Sequence, residues 1–286
     1  MKQFTVTEDT TLLEFLVTKY PRKQAKKFLA HSLVQINQAP VQQFNHRLCA
    51  GDSITISKHN PMHNKLDILY EDARYIVINK PSGLLSMSDG QEKEKTAYHM
   101  VREYVRQNKR GAKIFIVHRL DRDTSGVLLF SKSEKYKHAL QNAWNDLVFK
   151  RGYIAIVEGY LARKKGTIET FLQQTSTHQV YVSKKGGVKA ITKYRVLLQK
   201  NNYSGLEIFI STGRRNQIRA HMDHIGHSIV HDPKYNGHSN PIGRLGLHAH
   251  VLALKEPDTG VIKEFRAPIP KEFHPYIPMD KIEYEG

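Results

Sequence analysis

The feature that most constrains the fold of this chain is a succession of short apolar runs, rich in β-branched and aromatic residues, from about residue 65 onward. Such runs are typical of β-strands. Two helical patterns interrupt them, through residues 139–148 and 218–225, and Gly226 is placed to end the second. Strands with few helices predict an α+β fold with a mixed, largely antiparallel β-sheet and flanking helices. The runs are Tyr75–Ile78, Ile114–Val117, Val127–Ser131, Tyr153–Val157, Lys193–Leu198, Leu206–Ile210, Leu247–Leu254 and Glu264–Arg266.

The start of the chain predicts a separate small α+β module. Helical patterns begin at Thr11 and near Ala25, and short alternating strands follow at Val34–Asn37 and Asp52–Ile56. The polar stretch around Pro61 has no apolar periodicity, which indicates a boundary. We therefore expect a module at 1–58, a linker at 59–66 and a main domain at 67–286.

The charge of the chain points to a polyanionic partner. Its 286 residues carry a formal net charge of +17, with a pI of about 9.7. A surplus of this size favours a nucleic acid, although solubility alone is the alternative and charge does not separate DNA from RNA. The densest basic stretch has no acid within it and consists of Lys19, Arg22, Lys23, Lys26 and Lys27. It is either a solvated face or a surface for phosphates.

Three further features set the cellular context. No apolar stretch approaches the roughly 20 residues of a membrane span, and the first residues lack an apolar signal core. The single cysteine, Cys49, gives no internal disulfide. We expect a cytoplasmic protein without membrane contact.

The segment 117–130 is the clearest candidate site. Its centre, His118 to Asp121 followed by Thr124 to Gly126, places carboxylates among guanidinium groups between two apolar runs. Loops held by a rigid scaffold often carry function. Taken alone, Asp121 is either a turn-capping aspartate or a reactive carboxylate, which in a dry pocket needs a nearby cation to stay charged.

This segment resembles the signature of the RluA-type pseudouridine synthases. Other motifs of that family follow in order through nearly all of residues 70–260: Lys80–Leu84, Gly152–Gly159, Ala190–Tyr194, Thr212–Arg214, Gln217–Arg219, Ile225–His227 and Leu245–Ala249. The resemblance implies the pseudouridine synthase catalytic fold and the isomerisation of uridine in RNA. That reaction oxidises nothing and adds no atom overall, so we expect no cofactor.

The resemblance also assigns catalytic roles. Asp121 falls at the nucleophile or base, which either attacks the ribose anomeric carbon or promotes glycal formation. Arg219 falls at its basic partner. Tyr153 falls at the ring that stacks on the flipped uracil; otherwise it is an ordinary half-buried tyrosine.

Substrate-binding roles are implied for other motif residues. Arg119 fills the gap left by the extruded nucleotide, or simply contacts a phosphate. Leu247 is an apolar wall under the uracil, or a core leucine. Arg214 and Gln217 belong to the motif that contains Arg219. In addition, residues 1–58 resemble the small RNA-binding module named after ribosomal protein S4, here called the S4-like module, which implies RNA contacts by Lys19, Arg22, Lys23 and Lys26.

Two positions depart from the family pattern. Asn216 stands where the family usually has His, and His231 stands where it usually has Gly before Asp232. Asn216 can keep a hydrogen bond that His would make, and Arg215 adds a positive charge. His231 is expected to alter its loop, because glycine tolerates backbone conformations that histidine does not.

The histidines raise a different hypothesis. His221, His224, His227 and His231 are closely spaced, as zinc ligands can be, and a metal-dependent hydrolase would follow. No HExxH motif is present, so we expect no metal site.

Three functions therefore stand side by side. The first is an RNA pseudouridine synthase, with ribosomal RNA favoured and transfer RNA possible as substrate. The second is a non-catalytic RNA-binding or assembly factor on the same scaffold, and the third is the hydrolase. A monomer is expected. Substrate choice is assigned to a loop at 86–113, the basic stretch 19–27 and the turn 184–187.

Overall fold

A computed structural model describes residues 2–30, 33–37, 39–41, 43–56, 66–90, 92, 95–108 and 111–282. The chain divides into two compact units, residues 1–66 and 67–286. The linker predicted at 59–66 lies outside the described residues except for Leu66. In the described part of the chain, no helix combines the length and apolarity needed to cross a membrane.

The N-terminal unit is a small α+β structure. Its helices are α1 (Leu12–Lys19) and α2 (Arg22–Ala30), and its strands are β1 (Lys2–Thr5), β2 (Thr10–Thr11), β3 (Val34–Ile36), β4 (Ala39–Pro40), β5 (Arg47–Leu48) and β6 (Ser53–Ile56). One sheet has the order β1-β6-β3-β4, and β2 pairs with β5. The helices bury Leu12, Leu16 and Ala25 against Ile54.

The start of α1 follows from its sequence. The Glu14 carboxylate accepts hydrogen bonds from the backbone N–H of Thr11 at 3.2 Å and from its hydroxyl at 2.6 Å. Such a contact satisfies a donor that a helix start leaves unpaired. The helix predicted from Thr11 onward is therefore confirmed.

The C-terminal unit is built on a single large sheet. Its strands are β7 (Ile68–Glu71), β8 (Tyr75–Lys80), β9 (Phe115–Ile116), β10 (Ser125–Ser131), β11 (Lys150–Glu158), β12 (Lys165–Gln174), β13 (Val180–Ser183), β14 (Val188–Lys200), β15 (Tyr203–Ile210), β16 (Leu247–Lys255) and β17 (Ile262–Arg266). Its helices are α3 (Ala97–Asn108), α4 (Glu134–Asn142), α5 (Trp144–Leu147) and α6 (Gln217–His224).

The 11-stranded sheet has the order β13-β12-β14-β15-β11-β16-β10-β8-β7, with β17 on β16 and β9 on β10. Among the described strand pairs, β10 and β16 are parallel and the others are antiparallel. The predicted α+β fold with a mixed, largely antiparallel sheet is confirmed.

The parallel pair depends on a glycine. Gly126 pairs with Ala249 and has a φ of +112°. A Cβ at Gly126 would lie 2.0 Å from the carbonyl oxygen of Ala249, so no other residue fits without moving a strand. This close approach sets the end of the Asp121 loop beside Leu247, the first residue of β16.

Several predictions about local structure were wrong. The loop predicted at 86–113 contains the three-turn helix α3. The helical pattern through 139–148 is interrupted at Ala143, whose ψ of 34° separates α4 from α5. The strands β7, β12 and β13 were not predicted.

The end of α6 was predicted correctly. Gly226 has a φ of +80° and its N–H bonds to the carbonyl of Asp223, while the N–H of His227 reaches the carbonyl of Met222. These two bonds form a Schellman cap. The cap ends α6 and fixes the course of the chain toward His231 and Asp232.

Candidate active site

A buried lysine holds one side of the Asp121 loop. Lys80, which has no exposed surface, donates hydrogen bonds to the carbonyl oxygens of Pro81 at 3.0 Å, Leu84 at 2.7 Å and Arg122 at 2.9 Å. An ammonium group has three hydrogens, and each one is used. The segment after β8 and the residue that follows Asp121 are thereby fixed to one another.

Two serines of the same segment hold the residues on either side. The Ser82 hydroxyl donates to the carbonyl of Asp123 at 2.7 Å. The Ser86 hydroxyl donates to the carbonyl of Leu120 at 2.8 Å and accepts from its N–H at 3.0 Å. The backbone of Asp121 is therefore anchored before and after the residue, which leaves little freedom to its carboxylate.

The cation beside Asp121 is Arg219, as the family resemblance implied. Its Nη1 lies 3.3 Å from Oδ2 of Asp121. Its Nε and Nη2 form a two-pronged pair with Asp232, at 2.6 Å and 2.7 Å, and its guanidinium lies 5.0 Å from the ring centre of Tyr235. Burial would lower the pKa of Arg219, but the hydrogen bonds and charges of Asp232 and Asp121 raise it overall. The guanidinium is thus always charged and is held in one orientation.

Asn216 provides a second donor to the carboxylate. One heteroatom of its side-chain amide lies 2.9 Å from Oδ2 and 3.2 Å from Oδ1 of Asp121. Carboxylate oxygens only accept, so this atom is the amide nitrogen. The amide oxygen then accepts from the Tyr235 hydroxyl at 3.1 Å, and that hydroxyl accepts from the N–H of Val180 at 3.1 Å. Oδ1 makes only the longer contact and keeps lone pairs for a substrate.

Both positions that depart from the family pattern have left-handed backbones. Asn216 has a φ of 49° and His231 a φ of 55°. Asparagine and histidine are both among the non-glycine residues enriched in this region. His231 thus adopts a left-handed backbone that glycine, the usual residue of the family at this position, takes readily. Asp232, which follows it, still reaches Arg219.

The predicted catalytic and binding residues of this unit surround one cavity of about 190 Å³. They are Asp121, Tyr153, Arg219, Arg119, Leu247, Arg214 and Gln217. Leu247 is buried. Burial raises the pKa of Tyr153 to about 12. The charge of Arg151 opposes this rise, and the charge of Asp121 adds to it. Tyr153 is therefore a neutral phenol at physiological pH, with one polar atom beside an apolar wall.

Two of the predicted binding residues also make structural contacts. The Gln217 amide donates to Ile191 and Thr192, and its oxygen accepts from Thr212 and Arg214. The hydrogen-bonding capacity of this amide is fully used by these contacts, so the contribution of Gln217 is to fix the loop that precedes α6. Among the described residues, the Arg214 side chain by contrast donates only to the carbonyl of Lys189, through its Nε at 3.1 Å.

Arg119 lies exposed at the edge of the cavity. It forms no ion pair with any described residue, and the same is true of Arg215, which also lines the cavity. These cations leave a positive rim around the anchored Asp121.

The closely spaced histidines do not converge. His221 is buried, with Nε2 2.9 Å from the Thr170 hydroxyl and Nδ1 2.8 Å from that of Thr192, whereas His224 is exposed. His227 contacts the carbonyl of Glu158. Within the ranges that the structure describes, no three His, Cys, Asp or Glu side chains are grouped to hold a metal. The metal-dependent hydrolase has no structural support.

The basic residues assigned to the N-terminal unit form a surface of their own. Lys19, at the end of α1, and Arg22, Lys23 and Lys26 on α2 are all exposed. None of them is in an ion pair with a described residue. Ala25 and Leu29 point to the opposite side and are buried.

Two contributors were not predicted from the sequence. Asp232 was noted only as the residue that follows His231 in the family pattern, and Tyr235 not at all. Both lie near the short helical turn Pro233–Tyr235, in sequence well after Asp121. Their one signal was the unusual His231 beside them.

The comparisons with known proteins agree with this geometry. Residues 74–224, more than half of the chain, match the model of a family described as RNA pseudouridylate synthase. An uncharacterized RNA pseudouridine synthase of Bacillus subtilis, YhcT, is 31% identical over 273 residues, covering 90% of each chain. Ribosomal large subunit pseudouridine synthase D of Haemophilus ducreyi is 28% identical over 291 residues, covering 94% of this chain and 90% of that protein.

A solved structure shares the fold. The human RNA pseudouridylate synthase domain containing 1 superposes with a TM-score of 0.61 at 23% identity, covering 73% of this chain and 85% of its own. The chain therefore belongs to the RNA pseudouridylate synthase family, and the predicted family is confirmed. As such it is an isomerase of the pseudouridine synthase class.

Proposed function

We propose that the chain converts specific uridines of structured RNA to pseudouridine, with Asp121 as the catalytic nucleophile or base. The observation that carries this proposal is the carboxylate of Asp121, set between the Arg219 guanidinium and the Asn216 amide in a cavity walled by Tyr153 and Leu247. A fixed carboxylate beside a ring and an apolar wall suits a flipped pyrimidine nucleotide.

The reaction asks for no more than these groups supply. The bond between N1 of uracil and C1′ of ribose breaks, the base turns, C5 bonds to C1′, and the proton of C5 is replaced by one on N1. Oδ1 of Asp121 is the oxygen left for the ribose, either to attack C1′ or to remove a proton on the way to a glycal. We assign the neutral hydroxyl of Tyr153 to the side of the base where C5 loses its proton.

Ribosomal RNA is the proposed substrate, with transfer RNA as the second candidate. Support comes from the relatives named ribosomal large subunit pseudouridine synthase D and from the net charge of +17. We assign the N-terminal unit, through Lys19, Arg22, Lys23 and Lys26, to sequence-independent contacts with phosphates as an S4-like module. A monomer working in the cytoplasm is the simplest form consistent with this role.

The test is tritium release from RNA labelled at C5 of uridine, with ribosomal and transfer RNA as separate substrates. The wild type should release tritium from one of them in the presence of a chelator. Asp121→Asn, which keeps the shape of the side chain, should lose at least about 10³-fold in rate. Binding of RNA without release would favour the assembly-factor alternative, and a hydrolytic activity that a chelator abolishes would favour the hydrolase.

A further inference from the structure

A second cavity lies next to the catalytic one. Its volume is about 270 Å³, against about 190 Å³ for the first. The two share four lining residues, Arg119, Tyr153, Ile210 and Gly213. A space that adjoins the proposed uridine pocket and is no smaller can hold another group of nucleotide size.

One wall of this second cavity is aromatic. Trp144, at the start of α5, lines it together with His118, and their rings lie 5.3 Å apart at an interplanar angle of 35°. Trp144 is only half-buried. Aromatic faces of this kind are the usual platforms for unpaired bases in RNA recognition.

The same wall carries a hydrogen-bond donor. Burial, with a contribution from Arg151, lowers the pKa of His118 to about 4, so its ring is neutral. The N–H of Leu129 donates to Nε2 at 3.0 Å, which places the ring hydrogen on Nδ1. No described residue accepts from Nδ1, so this N–H is available to a ligand.

Arg151 also lines the second cavity, and its positive charge favours an anionic ligand there. This arginine is 7% exposed, and its Nη2 donates to the carbonyl of Ser211 at 2.5 Å. It has no carboxylate partner among the described residues, and its buried Nε has no partner there either. A buried cation without a counter-charge is costly, and a phosphate supplies that charge.

We propose that the second cavity binds the nucleotide next to the target uridine in the RNA strand, with its base stacked on Trp144 and its phosphate balanced by Arg151. This inference rests on the proposed function, because a neighbouring nucleotide is present only when an RNA strand enters the catalytic cavity. Arg119, which lines both cavities, lies where the strand passes from one to the other. The cavity thereby positions the strand on one side of the uridine through contacts that do not depend on the identity of the neighbouring base.

Trp144 makes the proposal directly measurable. It is the only tryptophan of the chain, so tryptophan fluorescence, excited at wavelengths that tyrosine does not absorb, reports on this cavity alone. The full-length Asp121→Asn protein is mixed with three five-nucleotide RNAs that have a central uridine: one complete, one lacking the base on the 5′ side and one lacking it on the 3′ side. Anisotropy of a label at the RNA end measures binding in parallel.

The complete RNA should quench Trp144. Removing one neighbouring base, but not the other, should abolish the quenching and weaken binding about 10-fold. Equal quenching by all three RNAs, or unchanged Trp144 emission, would overturn the proposal. This experiment needs no turnover, so a failure of the tritium assay remains separate from its result.

A kinetic measurement on the RNA that releases tritium tests the same point independently. Trp144→Leu keeps apolar volume without an aromatic face and should raise KM about 10-fold with little change in kcat, whereas Trp144→Phe should recover most of the affinity. Phe149→Leu is the matched control, since Phe149 is exposed and lines neither cavity. Equal KM values for Trp144→Leu and Phe149→Leu would contradict the assignment.

Arg151 is tested by the charge it carries. Arg151→Gln should raise KM and flatten its dependence on salt by about one phosphate contact, and Arg151→Lys should restore part of both. Thermal melting of each variant separates a loss of fold from a loss of binding. An unchanged salt dependence in a folded Arg151→Gln protein would remove the phosphate from the proposal.

Discussion

The basic surface of α2 and the centre around Arg219 use the same kind of charge in opposite ways. On α2, Arg22, Lys23 and Lys26 are exposed and unpaired within the described part of the chain. In the catalytic unit, the side chain of Arg219 is 11% exposed and is bound to Asp232 and Asp121 at once. The cations of α2 can therefore bind a ligand, whereas the Arg219 cation is already paired with two carboxylates.

The difference separates attraction from geometry. Exposed cations act through a screened field, so their positions are interchangeable and their effect depends on salt. A guanidinium that joins two carboxylates fixes directions in space, and neither lysine nor salt can replace it. Activity should therefore be sensitive to small changes in side-chain shape around Arg219. On α2, it should respond only to changes of charge.

Among variants of the groups that orient Asp121, the largest expected effect comes from Arg219→Lys, which keeps the charge but cannot pair with Asp232 and Asp121 together. A misplaced carboxylate should lower kcat about 10²-fold, measured by tritium release. Arg163→Lys, at an exposed arginine that lines neither cavity, is the control. A rate for Arg219→Lys within a few-fold of wild type would mean that charge alone suffices, and the comparison would break.

A smaller effect is expected at Asn216. Asn216→Ala removes a hydrogen bond to a charged oxygen, which corresponds to about a 10-fold loss of kcat, with KM nearly unchanged. Asn216→His, the usual residue of the family, should retain more activity because a ring N–H can donate to Asp121. Tyr235→Phe, which frees the amide to rotate, should lie between the wild type and Asn216→Ala. Full activity of Asn216→Ala would show that Arg219 alone orients Asp121.

The surface should respond in KM rather than in kcat. Replacing Lys19, Arg22, Lys23 and Lys26 by Gln should raise KM and reduce the slope of log KM against log salt by about 0.7 to 0.9 for each lost phosphate contact. The matched variant removes four other exposed cations, Arg163, Lys164, Lys200 and Lys255. Equal slopes for the two variants would mean that Lys19 and the cations of α2 contribute no more to RNA binding than other exposed cations do.

The least effect on activity, but a clear one on stability, is expected from His221, a buried histidine of the C-terminal unit. Burial lowers the pKa of His221 to about 4, and those of His118 and His248 to about 4 and 3. Between pH 6.5 and 4 these histidines are protonated in the unfolded chain but remain neutral in the folded chain, so acid favours unfolding. Each such histidine adds about 1.4 kcal/mol per pH unit to the fall in unfolding free energy.

Urea unfolding at several pH values measures this slope. His221→Gln should make it shallower by about one proton, whereas His138→Gln, at an exposed position on α4, should leave it unchanged. A slope that His221→Gln does not alter would mean that this histidine is protonated in the folded protein.

Every strand of the C-terminal unit that is buried on both faces was predicted from the sequence, and the three strands that were missed are partly exposed. β10 is entirely buried and β16 almost entirely, and both are rich in apolar residues. β12 buries only Ile168 and Leu172, four residues apart, so its alternation is hidden among polar residues. The helix α3 buries only Ala97, Val101 and Val105, a stripe too narrow to stand out against its charges.

The candidate site also has features that could be predicted from the sequence and features that could not. Asp121, Tyr153 and Arg219 lie in motifs that can be read from the sequence, and the structure brings them around one cavity. The two-pronged pair of Arg219 with Asp232 and the support of Asn216 by Tyr235 are contacts between segments, set by the cap of α6 and the turn after it. Periodicity and spacing carry no information about such contacts.

Gly126 has a consequence for how this enzyme can be changed. Because its backbone touches Ala249, the loop of Asp121 and the first residues of β16 move together, and a substitution in either shifts the other. Libraries that seek a new target RNA should therefore hold residues 121–126 and 247–249 constant. Diversity belongs at the rim of the cavity, at exposed positions such as Arg119 and Arg215.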